Sequence, residues 1–278
     1  MNYWLLTTEF PPFYGGGIST YCYFTTQMLA EKGHQVTVFV SDPSISRDVV
    51  TVSDNIRVIR FGLNKTGVGE VLGYQAFLSY EFAHTLNEYL AKEGKPDIIE
   101  IQDYQGIGYY THLRKQLQYD NFKDLTILTT LHVTAYLCFK YNRDPIFKLP
   151  TFWMGEMEKF SILSSDIVIS PSHYIIGKLG EDFRLTDKSI TVVPNPIKVK
   201  EQELKPAFKR NDFVFFGKMV HLKGGFHLID FFKTLWDQGF KHSLKIIGET
   251  DFVLHTDDII ARDLIKEKYG KYIESGLL

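Results

Sequence analysis

Short runs of β-branched and aromatic residues recur along this chain, each separated from the next by a longer segment of helical period, and that rhythm constrains the fold most. The runs fall at residues 3–8, 35–40, 56–61, 98–102, 126–131, 167–170 and 190–193. Strands alternating with helices in this way build βαβ units on a parallel sheet, which places the chain in the α/β class. Between the first two runs, Ile18, Tyr21, Cys22, Thr25, Met28 and Leu29 trace one helical face, and Gly33 supplies the stop.

After the seventh run come Pro194-Asn195-Pro196 and a polar stretch with Glu201, Glu203, Lys205, Pro206, Lys209 and Arg210, a composition that reads as an interdomain linker. The expected organisation is therefore a first domain over 1–196, a linker over 197–211 and a second series over 212–278. That series holds strands at 213–216 and 244–247, with helices from about Gly225 to Trp236 and from about Asp257 onward. Two strands make a sheet that is marginal alone, so the second domain is expected to be incomplete.

Composition narrows the function classes. A formal net charge of -2 and the lack of a Lys/Arg-rich block argue against a nucleic-acid partner. The two cysteines, Cys22 and Cys138, give neither a disulfide framework nor zinc spacing, so no metal and a reducing, cytoplasmic setting are expected. The first residues lack a signal-peptide pattern, and no uncharged apolar run approaches the ~20 residues that span a bilayer. The 16 Tyr and 22 Phe suit sugar stacking or a Phe-rich core, and the usual burial of these residues favours the core.

Three places carry candidate chemistry. The first strand runs into Pro11-Pro12-Phe13-Tyr14-Gly15-Gly16-Gly17 at the start of a helix. Exposed amides at a helix N-terminus, at the carboxyl end of a parallel strand, suit a phosphate; a connection needing positive φ is the plainer reading of the same glycines. Asp103 follows the fourth run and His132 the fifth, which puts both on the ligand edge of the sheet, either in a cleft or as loop hydrogen-bonders. In the second series, Lys218 and Lys223 flank the loop from Gly217 to Gly225 and can oppose a diphosphate leaving group, or simply be solvated.

Taken in order, Glu9-Phe10-Pro11-Pro12-x-x-Gly15-Gly16, Gly33-His34-Gln35-Val36-Thr37-Val38, Thr130-Leu131-His132, the stretch Glu158 to Ser172, Pro194-Asn195-Pro196 and Gly217-Lys218 to Lys223-Gly224 resemble the retaining glycosyltransferase family 4. The likeness covers nearly the whole chain. It implies a GT-B fold: a Rossmann-like acceptor-side domain followed by the start of a second, donor-binding Rossmann-like domain. It further implies transfer of a sugar from a nucleoside diphosphate sugar to a hydroxyl acceptor, glycan or lipid-linked, with retention and without a further cofactor. A lipid-linked acceptor would bring the protein to the membrane periphery.

By the same resemblance, Gly16 and Gly17 match the loop near the donor phosphates, His132 the histidine near the transferred sugar, Gly217 and Lys218 the donor-side strand end, and Lys223 the diphosphate-binding lysine. Asp103 falls near a cleft position. The family usually has Arg where this chain has Lys218, which keeps the charge but not the two-pronged geometry. The glutamate-rich donor motif of the family is missing, so the chain is expected to be a fragment, or completed by a separate chain, and feeble alone.

The rival reading is a noncatalytic sugar-binding or scaffold subunit that pairs with another chain. A nicotinamide-dependent oxidoreductase lacks its glycine fingerprint, since Gly67-x-Gly69-x-x-x-Gly73 has the wrong spacing. Neither Asp-x-Asp nor a P-loop pattern occurs, which disfavours a metal-bridged diphosphate and a nucleotidase.

Overall fold

A computed structural model describes residues 1–12, 16–63, 68–197 and 213–278; Gly15, Gly67 and all of the expected linker except Ile197 lie outside the described residues. The chain divides into two compact units, the first formed by Met1–Leu137 with Phe147–Val199 and the second by Cys138–Ile146 with Lys200–Leu278.

The first unit is one eight-stranded sheet. Its strands are β1 (Asn2–Thr7), β2 (Gln35–Ser41), β3 (Arg47–Ser53), β4 (Ile56–Phe61), β5 (Ile98–Gln102), β6 (Ile127–Thr130), β7 (Ile167–Ser170) and β8 (Thr191–Val192), in the order β3-β4-β2-β1-β5-β6-β7-β8. Every pairing is parallel except β3 with β4. Around the sheet lie α1 (Gly17–Glu31), α2 (Val68–Leu72), α3 (Tyr74–Glu93), α4 (Tyr109–Gln116), α6 (Thr151–Ser164) and α7 (His173–Phe183), while α5 (Ala135–Asn142) begins in this unit and belongs to the second from Cys138 onward.

The central strands read as unbroken apolar runs because both of their faces are covered. Tyr3 and Leu5 of β1 pack with Ile18, Tyr21 and Cys22 of α1. Trp4 and Leu6, pointing the other way, pack with Leu78, Phe82 and Leu86 of α3. Helix α1 buries Ile18, Tyr21, Cys22 and Thr25 as its spacing predicts, while Met28 stays 39% exposed. Gly33, with φ 80°, ends it in the left-handed region that glycine enters without strain.

Strand β3 is absent from the sequence expectation. Its residues are exposed or partly buried, and among the described residues its one neighbour is β4, so it is a solvent-facing antiparallel edge outside the pattern of the buried parallel core. Neither cysteine forms a disulfide among the described residues. Among the described residues no helix is long and apolar enough to cross a membrane.

In the second unit, β9 (Phe213–Phe216) pairs in parallel with β10 (Leu244–Ile247), and α8 (Gly225–Asp237) connects them. A two-residue hairpin of β11 (Val253–Leu254) and β12 (Ile259–Ile260) precedes α9 (Ala261–Glu274). The last helix thus starts at Ala261 and not near Asp257: Asp258 takes φ 51° and the β-branched pair Ile259-Ile260 is used in the hairpin. Phe226, Ile229, Phe232 and Trp236 of α8 pack with Ile265, Tyr269 and Tyr272 of α9. Residues 138–146, which the sequence reading puts in the first domain, belong to this unit: Asn142 Oδ1 accepts from Leu222 N at 3.0 Å and the Arg143 carbonyl accepts from Thr256 Oγ1 at 3.0 Å.

Candidate active site

The carboxyl edge of the first unit's sheet is where parallel strands release polar side chains, and the structure gathers several there. His132 follows β6 in a loop held at both ends by buried carboxylates. Asp103, just past β5, accepts the His132 backbone N–H on Oδ2 at 3.1 Å. Glu158 of α6 accepts the N–H groups of Ala135 at 2.6 Å and Tyr136 at 3.0 Å, the first residues of α5, and that of Gln105 at 2.8 Å. A carboxylate at a helix N-terminus satisfies amides that have no partner inside the helix.

Burial sets the electrostatics. It pushes the Asp103 carboxyl up to about 7 and the Glu158 carboxyl up to about 8, while their backbone hydrogen bonds pull the other way. Burial also lowers the His132 imidazole to about 4, so the ring is neutral at physiological pH. His132 Nε2 lies 2.5 Å from Gln102 Oε1, and the ring stands edge-on to Tyr21 with centroids 4.7 Å apart.

Tyr21 sits one turn inside α1, which begins at Gly17, so the imidazole and that helix N-terminus share one place on the edge. The two glycines there differ. A Cβ on Gly16 would come within 2.1 Å of Glu9 Oε2, so the missing side chain makes room for that carboxylate. Gly17 is exposed, and a Cβ on it would meet nothing within 4 Å, which leaves open space beside its backbone.

In the second unit, Gly217 follows β9 and Gly248 follows β10, and their backbones nearly touch: a Cβ on Gly248 would lie 2.1 Å from the Gly217 carbonyl oxygen. Lys218 is paired loosely, with Nζ 3.8 Å from Glu249 Oε2 and 5.0 Å from the Phe252 ring centroid. Lys223 is exposed at the end of a short 3-10 turn, one residue before Gly224, the N-cap of α8. Among the described residues no cluster of three or more His, Cys, Asp or Glu side chains is placed to hold a metal ion.

The description of Glycosyltransferase Family 4 matches residues 15–201, more than half of the chain. The chain belongs to that family. Comparison with curated proteins finds no match. Among solved structures, sucrose-phosphate synthase from Thermosynechococcus elongatus superposes with a TM-score of 0.62 at 17% identity, covering 99% of this chain and 68% of that one. The catalytic domain of starch synthase IV from Arabidopsis thaliana, solved with ADP and acarbose, gives 0.61 at 15% identity over 98% and 72%. A trehalose-6-phosphate synthase gives 0.62 at 14% over 98% and 69%. These likenesses show the GT-B fold.

For this glycosyltransferase, sequence reading finds His132 and Asp103 by their place after strands but misses what holds them. Asp103 is 1% exposed with its carboxylate turned to the backbone, so the structure places it under the His132 loop and not on an open cleft wall. Glu100, Gln102 and Glu158 are missed, although a signal for Glu100 was present: a charged residue inside an apolar parallel strand must be buried and must find donors.

Proposed function

We propose that this glycosyltransferase moves a sugar from a nucleoside diphosphate sugar to a hydroxyl of a glycan or lipid-linked acceptor, with retention. The observation that carries the reading is the neutral His132 ring standing beside the N-terminus of α1, a hydrogen-bonding group next to an anion-binding one. In this assignment the Gly17 amide, with Gly16 behind it, faces the donor phosphates and His132 orients the sugar. Lys218 and Lys223 oppose the charge that grows on the departing diphosphate, so no metal or other cofactor is invoked. The bond from the anomeric carbon to the diphosphate breaks, the bond to the acceptor oxygen forms, and the acceptor proton leaves with the diphosphate. Asp103 is reassigned from catalysis to positioning the His132 loop.

The lipid-linked acceptor is favoured by one surface feature. Phe147 is 87% exposed and Leu149 77%, and with Phe152 and Trp153 they form an apolar, partly aromatic patch around Lys148. The patch lies where α6 begins, and because α6 runs back antiparallel to β7 its start is at the carboxyl edge of the sheet. Aromatic and aliphatic side chains beside a cation suit a membrane surface better than they suit water.

One experiment tests both halves: calorimetric titration with UDP, GDP and ADP sugars, followed by transfer assays with soluble glycans and with lipid-linked acceptors in vesicles. Binding of one nucleotide class, weakened about three- to tenfold by Gly17→Ala at unchanged melting temperature, is expected. No binding by any donor would remove the reading, and transfer to lipid-linked acceptors in vesicles left unchanged by Phe147→Ser would remove the membrane half.

A further inference from the structure

Beneath His132 lies a chain of side chains whose hydrogen bonds all run one way. Glu100, fully buried in the middle of β5, accepts from Tyr3 Oη at 2.5 Å on Oε2, and on Oε1 from Thr130 Oγ1 at 2.6 Å and Gln102 Nε2 at 3.0 Å. Glu100, Gln102 and Thr130 share the face of the sheet that α1 covers, since β5 and β6 pair at Gln102 with Thr130 and residues two apart in a strand face the same way. These donors converge on one carboxylate, which is a specific use of a buried acceptor.

That convergence fixes the Gln102 amide. Its Nε2 must point at Glu100, so its Oε1 must be the atom 2.5 Å from His132 Nε2. An amide oxygen cannot donate, so the imidazole nitrogen facing it has to carry the proton. A neutral imidazole carries one proton only, which leaves Nδ1 as a bare acceptor, and among the described residues nothing donates to it.

We infer that Glu100 and Gln102 are positioning residues that hold His132 as the Nε2–H tautomer, so that Nδ1 accepts a hydrogen bond from a hydroxyl of the bound sugar. The opposite tautomer would offer that hydroxyl a donor and would clash, proton to proton, with one that has to donate. The sugar-facing half of this inference rests on the proposed function, whereas the tautomer itself does not.

The test is long-range proton–nitrogen NMR on the histidine-labelled chain at neutral pH, with the His132 signals assigned by their loss in His132→Gln. The wild type is expected to show a downfield, slowly exchanging Nε2–H and an unprotonated Nδ1. In Gln102→Leu, which keeps the volume but removes the acceptor, that proton should become fast-exchanging and the two nitrogens should move towards the averaged positions of free imidazole. Glu100→Gln should do the same more weakly, by letting the Gln102 amide turn over. Unchanged signals from the other histidines serve as the folding control. A wild-type proton on Nδ1, or a Gln102→Leu spectrum identical to wild type, overturns the inference. In transfer assays Gln102→Leu should lower kcat about tenfold, the worth of one hydrogen bond, with a smaller change in donor KM. A locked tautomer with unaltered turnover in Gln102→Leu would overturn the sugar-facing role. A locked tautomer in a wild type that binds no donor would fault the proposed function alone.

Discussion

The two units solve the same packing problem from similar strand sequences and arrive at different interiors. In the first, β1 and β2 have neighbours on both sides and helices on both faces, and among the core are Glu100, Gln102, Asp103, His112 and Glu158. In the second, β9 has only β10 beside it among the described residues, and no polar or charged side chain described there is fully buried. Its polar contacts stay near the surface, as with Tyr269 Oη to Asp230 Oδ1 and Tyr272 Oη to Asp237 Oδ1, both at 2.6 Å. Burying a polar group costs stability unless every donor and acceptor is matched, and a wide, doubly covered sheet supplies enough apolar contact to offset that cost. The lesson is that a site is built where the surrounding core is thickest.

The largest effect expected from this contrast is in the middle of the wide sheet. Leu6 has no exposed surface and packs between Phe39, Ile101 and helix α3. Leu6→Ala should cost about 2–5 kcal/mol, the lost transfer energy plus a cavity that the flanking strands cannot close. Urea denaturation followed by circular dichroism measures it, and a cost below about 1 kcal/mol would mean that the first unit's core is far looser than its burial indicates.

A smaller effect separates the units by pH. His112 of α4 is fully buried, its Nδ1 has no hydrogen-bond partner among the described residues, and Nε2 is 3.5 Å from Ser165 Oγ. Burial lowers its pKa to about 3, with Lys115 and Lys188 helping and Asp166 opposing. The unfolded chain therefore takes up a proton near pH 6.5 that the folded one refuses, so this group's share of stability is intact above pH 6.5 and is lost as pH falls towards 3. His132 acts in the same direction, while the raised carboxyls of Asp103 and Glu158 oppose it. A difference isolates His112: between pH 7 and pH 5 the wild type should lose about 2 kcal/mol more than His112→Leu does. Equal losses would show that the imidazole finds a proton-accepting partner in the folded state.

How far the sequence discloses these interiors depends on the range of the interaction that decides each feature. Apolar runs such as β2 and β5 are legible because doubly covered parallel strands leave no other pattern, and Gly33 is legible because it acts on its own helix. The mixed polar and apolar residues of β3 do not announce an edge strand whose one partner among the described residues is β4. The hairpin before α9 hides in a stretch that also reads as helix. At the site, His132 and Asp103 follow from the strand-end rule, but their anchoring joins residues 29 apart, and the reach of Glu158 spans 22 to 53 residues. No local pattern encodes such distances. The difference between Gly16 and Gly17 is of the same kind, since it depends on where the Glu9 carboxylate lies.

The smallest effect is expected on the narrow sheet, and it is the most informative about the second unit. Phe216 ends β9 with 84% of its surface exposed, and Val214 and Ile247 are also exposed, so here strands with the apolar look of β1 lie open. A residue that is exposed in the folded state loses little when it is made polar, so Phe216→Ser should change stability by no more than about 0.5 kcal/mol. The same substitution should reduce concentration-dependent association, because an exposed apolar strand is a template for pairing. Thermal unfolding and light scattering on the one variant read both quantities. Should further polypeptide, in the same chain or in a separate one, cover β9 and β10, Phe216 would become a core residue and Phe216→Ser would cost about 3–5 kcal/mol in that assembly. Measuring the variant with and without such a partner therefore decides whether the second unit's interior is thin by design or waits for another layer, and a large cost in this chain alone would show that Phe216 is already covered.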